Sequence, residues 1–275
     1  MEQLRGSNAL LTGAAGGLGG YIAPALAREG VNLVLSDFPS ASVDDRLEAV
    51  RALGVGAEAV PFDLIDTARL ESLLHGAEEA IGPIDILVNN AGLEFVGPFE
   101  GHTREELEAI IAVNLLAVME LTRLALPGMI ERGRGHVLNM ASMAGKSHFP
   151  YLASYSATKH AVVGLTHSLR AEHGTGPVGF TAICPGFVSR VGMYGRLEDQ
   201  ITPPPRGLRP VPPEAVADAV VKAIRENRAE ILVNSVPARP LAALAATAPG
   251  TLARALGSER VMESAREAAR VRGRL

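Results

Sequence analysis

The sequence predicts an α/β protein: one doubly wound domain, with a seven-stranded parallel sheet and helices on both faces. Three observations carry this. Short apolar runs alternate with longer amphipathic segments over residues 8–234. Most of the apolar runs are nearly continuous, as strands are when both faces of a parallel sheet are covered. A glycine-rich turn follows the first run, where such folds turn from strand to helix.

The strands fall at 8–12 (NALLT), 31–36 (VNLVLS), 57–62 (AEAVPF), 84–89 (IDILVN), 136–141 (HVLNMA), 179–184 (GFTAIC) and 230–234 (EILVN). Between them lie helical patterns at 18–29, 43–53, 67–81, 103–131, 152–173 and 214–227. The fourth opens with Thr103-Arg-Glu-Glu106, the spacing of a capping box. Pro212-Pro213 suits the first turn of the sixth. Two stretches break the alternation. Residues 189–213 are rich in glycine and proline and are expected to cover the site as a lid. The tail, 236–275, reads as two short apolar helices broken at Pro249-Gly250, then an amphipathic helix capped by Ser258. The expected division is therefore a main domain over 1–235, including the lid, and a helical extension over 236–275. The extension is expected to pack over the cleft or against a partner subunit, with a membrane-surface role as the competitor.

Composition narrows the function. The 275 residues are 47% hydrophobic and carry a formal charge of −4, so no nucleic-acid footprint is present. Cys184 is the only cysteine and allows no intrachain disulfide. The N-terminus enters a strand pattern without a signal peptide's apolar region, and no run of 18 apolar residues exists. A soluble, cytoplasmic protein is expected. Seven histidines show no metal-ligand spacing, and no metal is expected.

The turn after the first strand reads TGAAGGLGG, with Gly13, Gly17 and Gly19 in G-x-x-x-G-x-G spacing. Glycines let the backbone approach a ligand closely, and the helix starting near Leu18 directs free N–H groups at it. A glycine-rich turn that merely joins strand to helix is the structural alternative. Asp37 ends the second strand, where a carboxylate accepts hydrogen bonds from adenosine ribose hydroxyls and repels a 2′-phosphate. No Lys or Arg stands at Ala14, Ala15, Ser36 or Phe38 to offset it, which favours NAD over NADP. Asp63, at the end of the third strand, reaches either adenine or only solvent.

Tyr155 and Lys159 share a helix face in SYSATKH, and the chain has only three lysines among 26 basic residues. A phenol titrates near 10, too high for a base at neutral pH, and a nearby ammonium lowers it. The pair therefore reads as an acid/base beside a bound cofactor. The bland alternative is an amphipathic helix showing both to water. Ser142, thirteen residues before Tyr155, ends the fifth strand, and Asn114 interrupts the apolar run IIAVNLLAVM.

With Asn89-Asn90-Ala91-Gly92 and Pro185-Gly186, these motifs stand in the order and spacing of the short-chain dehydrogenase/reductase family, which the chain resembles over residues 5–235. The resemblance implies a Rossmann-type sheet in the order 3-2-1-4-5-6-7. It implies hydride transfer between NAD and a secondary alcohol or ketone, with Asn114, Ser142, Tyr155 and Lys159 as the catalytic set. In it Asn114 positions a water that links Lys159 to solvent, with a purely structural amide as the competitor. Gly13, Gly17, Leu18, Gly19, Asp37, Asp63, Leu64, Asn90, Ala91, Gly92, Tyr155, Lys159, Pro185, Gly186 and Val188 would hold the cofactor. The threonine that usually binds the carboxamide is replaced by Arg190, with Ser189 the nearest hydroxyl.

Ser142, Phe149, Tyr155, Phe187, Met193 and Tyr194 are expected to meet the substrate, with Leu93 and Leu197 beside them, which suits an apolar or mixed small molecule. Glu94 and His148 either add polar recognition or are exposed loop residues, the second being the expectation for each. A homodimer or homotetramer is implied by the resemblance. Two other readings stand beside the oxidoreductase: a non-catalytic NAD sensor, and dehydratase or epimerase chemistry on the same fold.

Overall fold

Seven strands form one parallel sheet in the order β3-β2-β1-β4-β5-β6-β7, the predicted one, in a computed structural model that describes residues 4–174, 176–203 and 209–274. The strands are β1 (Asn8–Thr12), β2 (Asn32–Ser36), β3 (Ala57–Ala59), β4 (Ile86–Asn89), β5 (Gly135–Met140), β6 (Val178–Pro185) and β7 (Glu230–Val233). The helices are α1 (Gly19–Arg28), α2 (Asp44–Arg51), α3 (Leu70–Ile81), α4 (Arg104–Ile111), α5 (Ala117–Glu131), α6 (Ala153–His173), α7 (Gly192–Gly195), α8 (Pro213–Arg225), α9 (Arg239–Thr247), α10 (Pro249–Leu256) and α11 (Glu259–Val271).

Alternation along each strand divides the core in two. Ala9 and Leu11 of β1 face one layer with Leu33, Leu35, Val88 and Ile183, packed under Ile22 and Leu26 of α1 and Val216 and Val220 of α8. Leu10 faces the other way, with Val34, Leu87, Val137 and Phe180, against Leu70 and Leu73 of α3 and Leu121, Ala125 and Met129 of α5. Because both faces are covered, the strands could carry no polar alternation.

The third strand is shorter than its apolar pattern. Val60 and Phe62 still donate to Leu35 and Asp37, but Pro61 between them has no N–H on an open edge, and regular pairing ends at Ala59. Asp63 consequently lies in the following loop and not at a strand end. The capping box is formed: Thr103 Oγ1 accepts from Glu106 N at 3.3 Å and Glu106 Oε2 accepts from Thr103 N at 3.1 Å. Ser258 occupies the N-cap of α11, but its side chain makes no capping bond.

α4 and α5 form one continuous helix through a π-turn at Ala112–Leu116. By length and composition, with a mean hydropathy of 1.8 in its most apolar window, Arg104–Glu131 could cross a bilayer. Here its Asn114, Leu121 and Thr122 face inward and are buried, the arrangement of a core helix of the sheet.

Parallel register aligns the strand ends. Thr12 pairs with Ser36, Asn89 with Asn139, and Pro185 with Val233. The residues after each strand, Gly13, Asp37, Asn90, Ala141 and Gly186, thus gather along one edge, where ligands of such sheets bind.

Candidate active site

One cleft of about 730 Å³ runs along that edge. At one end the chain leaves β1 through Gly13, whose φ is +66°. A Cβ there would stand 2.7 Å from Ala91 Cα, one on Gly17 would stand 2.6 Å from Gly192 N, and one on Gly19 would stand 2.5 Å from Gly13 O. The three glycines are therefore steric requirements of a turn wedged against residues 91 and 192. Asn90 binds this turn to β4: its Nδ2 donates to Thr12 O and Gly13 O, both at 3.1 Å. Thr12 Oγ1 accepts from Asn90 N and Ala91 N. Leu18 lines the cleft and leads into α1. Asp37 accepts from Ala15 N and Phe38 N, each at 2.7 Å, and lines the cleft. Asp63 and Leu64 also line it, although Asp63 Oδ1 accepts from Ile65 N at 3.0 Å. A side-chain-free turn, a helix N-terminus and a carboxylate at the second strand's end fit a dinucleotide.

Sequence reasoning missed two neighbours here. Phe38, half exposed, lines the cleft as an aromatic face. Arg46 Nη2 donates to Gly16 O at 3.3 Å and brings a cation to the turn from α2. The sequence marks Phe38 only as a position lacking a cation, and Arg46 not at all.

At the other end Ser142, Tyr155 and Lys159 come together, with Asn114 behind them. Ser142 follows β5 and N-caps a single 3₁₀ turn, accepting from Ala144 N at 3.1 Å. Tyr155 and Lys159 project from the first turns of α6 and are 8% and 3% exposed. Burial pushes the Tyr155 phenol above its ordinary value; the Glu94 carboxylate pushes the same way, and the hydrogen bond with Ser142 opposes both. Lys159 does not set this balance. Its Nζ lies 5.6 Å from the Tyr155 ring centre and donates to Met140 O at 2.7 Å. Burial pulls its ammonium down to about 8. Burial is the largest of the influences on the phenol.

Asn114, fully buried in the π-turn, grips the backbone of Leu93 from both sides. Its Oδ1 accepts from Leu93 N at 2.7 Å, and its Nδ2 donates to Leu93 O at 2.9 Å and Thr158 Oγ1 at 3.2 Å. The π-turn, invisible in the periodicity, places that amide where the sheet-edge loop passes. Gly92, just before, lies close to both: a Cβ on it would be in ordinary contact, 3.5 Å from Asn114 Oδ1 and 3.6 Å from Lys159 Nζ.

Pro185, Gly186 and Val188 line the cleft between the two ends. Ser189 is not aimed into it: its hydroxyl donates to Val211 O at 3.3 Å. Arg190 points away to Glu214. Leu93, Phe149, Phe187, Met193, Tyr194 and Leu197 all line the cleft, and Phe187 bridges Phe149 and Tyr194 at 6.0 and 4.9 Å between ring centres. Residues 204–208 of the expected lid lie outside the described residues. His148 is exposed, as expected, and Glu94 is not: its side chain is 13% exposed and faces the cleft. Burial pushes its carboxyl up to about 7, against the pull of Arg272 and Arg196. Val261, Ser264, Ala265 and Ala268 of α11 form the outer wall beside it.

Comparison with known proteins bears on this arrangement. The short chain dehydrogenase family profile matches residues 7–201. The ketoacyl reductase HetN of Nostoc sp. is 43% identical over 239 residues, covering 86% of this chain and 82% of that protein. The D-beta-hydroxybutyrate dehydrogenase of Cupriavidus necator is 37% identical over 185 residues, 67% of this chain and 72% of its own. Among solved structures, a short chain dehydrogenase/reductase from Burkholderia phymatum in complex with NAD superposes with a TM-score of 0.79 at 27% identity, covering 91% of this chain and 96% of that one. The actinorhodin polyketide ketoreductase with NADPH superposes with a TM-score of 0.76 at 28% identity, covering 86% and 98%. The chain belongs to the short-chain dehydrogenase/reductase family of oxidoreductases.

Proposed function

We propose that the protein is an NAD-dependent oxidoreductase that interconverts a secondary alcohol and a ketone of largely apolar character. The observation that carries this reading is the convergence of Tyr155, Ser142 and Lys159 at one end of the cleft that holds the glycine turn and Asp37 at the other. Nicotinamide, when bound, accepts or supplies the hydride. The chain's own residues handle the proton and the geometry. Tyr155 Oη exchanges the proton with the substrate oxygen. Burial pushes the phenol upward, which favours the role of proton donor over that of base. Ser142 Oγ holds the same substrate oxygen beside the phenol. Lys159 keeps a positive charge beneath the site and offers donors to a ribose. Asn114 is a positioning residue that fixes Leu93 and, through it, the wall of the cleft.

Asp37 supports NAD over NADP by repelling a 2′-phosphate; Arg46, at the same turn, is the cation that works against it. The protein is further proposed to act as a homo-oligomer in the cytoplasm. The experiment is turnover of a panel of secondary alcohols and ketones with each dinucleotide, followed by NADH absorbance, in wild type and Tyr155→Phe. The expected result is wild-type turnover with NAD preferred, and a loss of at least about 10²-fold in the variant with dinucleotide affinity nearly unchanged. Wild-type levels in Tyr155→Phe would exclude the acid/base role.

A further inference from the structure

Glu94 brings a carboxyl into a substrate end lined largely by apolar side chains. It sits two residues past Gly92, among Leu93, Val96, Leu152, Met193 and Leu197. Among the described residues no donor reaches its carboxyl within hydrogen-bonding distance; Arg272 Nη2, at 3.6 Å, is its ion-pair partner. Arg272 itself donates to Met193 O at 3.4 Å. Arg196, whose Nε donates to Gly192 O at 3.1 Å, acts on Glu94 only through its charge. A largely buried carboxyl without hydrogen-bond donors carries a desolvation cost that the neighbouring charges offset incompletely. Glu94 lines the same cleft as Tyr155, whose phenol feels its charge.

We propose that Glu94 is the specificity-determining residue of the cleft: its carboxylate accepts a hydrogen bond from a second hydroxyl on the substrate, near the reacting carbinol. This rests on the oxidoreductase reading and narrows its substrate to a hydroxylated alcohol or hydroxyketone. Three features select this ligand class. Ionised, the Glu94 carboxyl only accepts and so needs a donor, which a plain alkyl chain lacks. The two arginines disfavour an ammonium. The carboxylate disfavours a substrate acid at the same place, so the free β-hydroxy acid is the wrong ligand even though one relative is named for it.

The test uses three four-carbon substrates that differ only at that point: 2-butanol, 1,3-butanediol and 3-hydroxybutyrate. Each is assayed with NAD in the full-length protein and in Glu94→Gln and Glu94→Leu. Wild type is expected to favour the diol over 2-butanol by about 10-fold or more in kcat/KM. Glu94→Leu should erase that preference, bringing the ratio of kcat/KM for the diol to that for 2-butanol down to about one. Glu94→Gln should raise kcat/KM for 3-hydroxybutyrate, because the repelling charge is gone. Equal losses on all three substrates, or an undiminished preference for the diol in Glu94→Leu, overturn the assignment while leaving the oxidoreductase reading intact. Absence of wild-type turnover on any alcohol or ketone overturns that reading, and this one with it.

Discussion

Lys159 shows what the site costs in stability. Its pKa in the folded protein, about 8, lies below the 10.5 of a free lysine. The folded state therefore holds fewer protons than the unfolded one between those values, and stability rises with pH through that window. The penalty is fully present below pH 8 and amounts to about 3 kcal/mol at most. Replacing Lys159 with Met removes it but leaves Met140 O without its donor, a loss of about 1–2 kcal/mol. Lys159→Met is expected to be about 1–2 kcal/mol more stable than wild type at pH 7, and no more stable at pH 10.5. Urea unfolding at both pH values measures this; a variant less stable at pH 7 would mean that the ammonium is not desolvated. Tyr155, Lys159 and Ser142 were legible in the sequence because their relation is local or set by one strand and one helix. The balance on the phenol was not, since it depends on burial and on Glu94. The burial of Glu94 depends in turn on Arg272 and α11, far along the chain, and no short-range pattern reports that.

At the level of elements, periodicity located the strands and helices to within a few residues because each has a continuous apolar stripe or run. It could not see the π-turn that aims Asn114, which leaves the hydrophobic pattern almost unchanged, nor the early end of β3. It also passed over Gly145. This glycine ends the 3₁₀ turn opened by Ser142, and a Cβ on it would stand 2.5 Å from Lys159 O and 2.7 Å from Lys159 C. The contact is backbone to backbone, so no rotamer change relieves it. The glycine is thus what lets α6 lie against the turn, and it sets the separation between the Ser142 hydroxyl and the Tyr155 phenol. Gly145→Ala is expected to push α6 away by several tenths of an ångström. Turnover should fall by about 10-fold or more through misplacement of the phenol, with dinucleotide affinity less affected. The check is a comparison of kcat with the dinucleotide Kd; an unchanged kcat would show that the turn yields instead of the helix.

The molecule as a whole joins a glycine-turn side, lined from the ends of the first three strands, to a substrate end finished by the last helix. The residues that line the turn side, from Gly13 to Ile65, come from before residue 66, whereas Val261, Ser264, Ala265 and Ala268 close the opposite side. α11 is tied down at several points: Glu267 accepts from Thr202, Ser264 Oγ donates to Thr202 O at 2.9 Å, and just beyond the helix Arg272 and Arg274 pair with Glu94 and Glu106. Ala268 and Ala269 pack on Val96 and Leu197, so the helix buries an apolar face as well as making ion pairs. Glu106 also serves the capping box of α4, which links the tail to the helix that carries Asn114. Removal of residues 258–275 therefore strips one wall from the substrate side and leaves the glycine turn, Asp37 and α1 untouched. The truncated protein is expected to bind dinucleotide within about twofold of the full chain while KM for the alcohol rises about 10-fold or more, since the binding energy lost lies at the substrate alone. Titration of dinucleotide by fluorescence and steady-state kinetics on the same preparation separate the two effects. Equal loss of both would mean that α11 stabilises the whole sheet edge, and an unchanged KM would mean that it does not close the cleft around substrate.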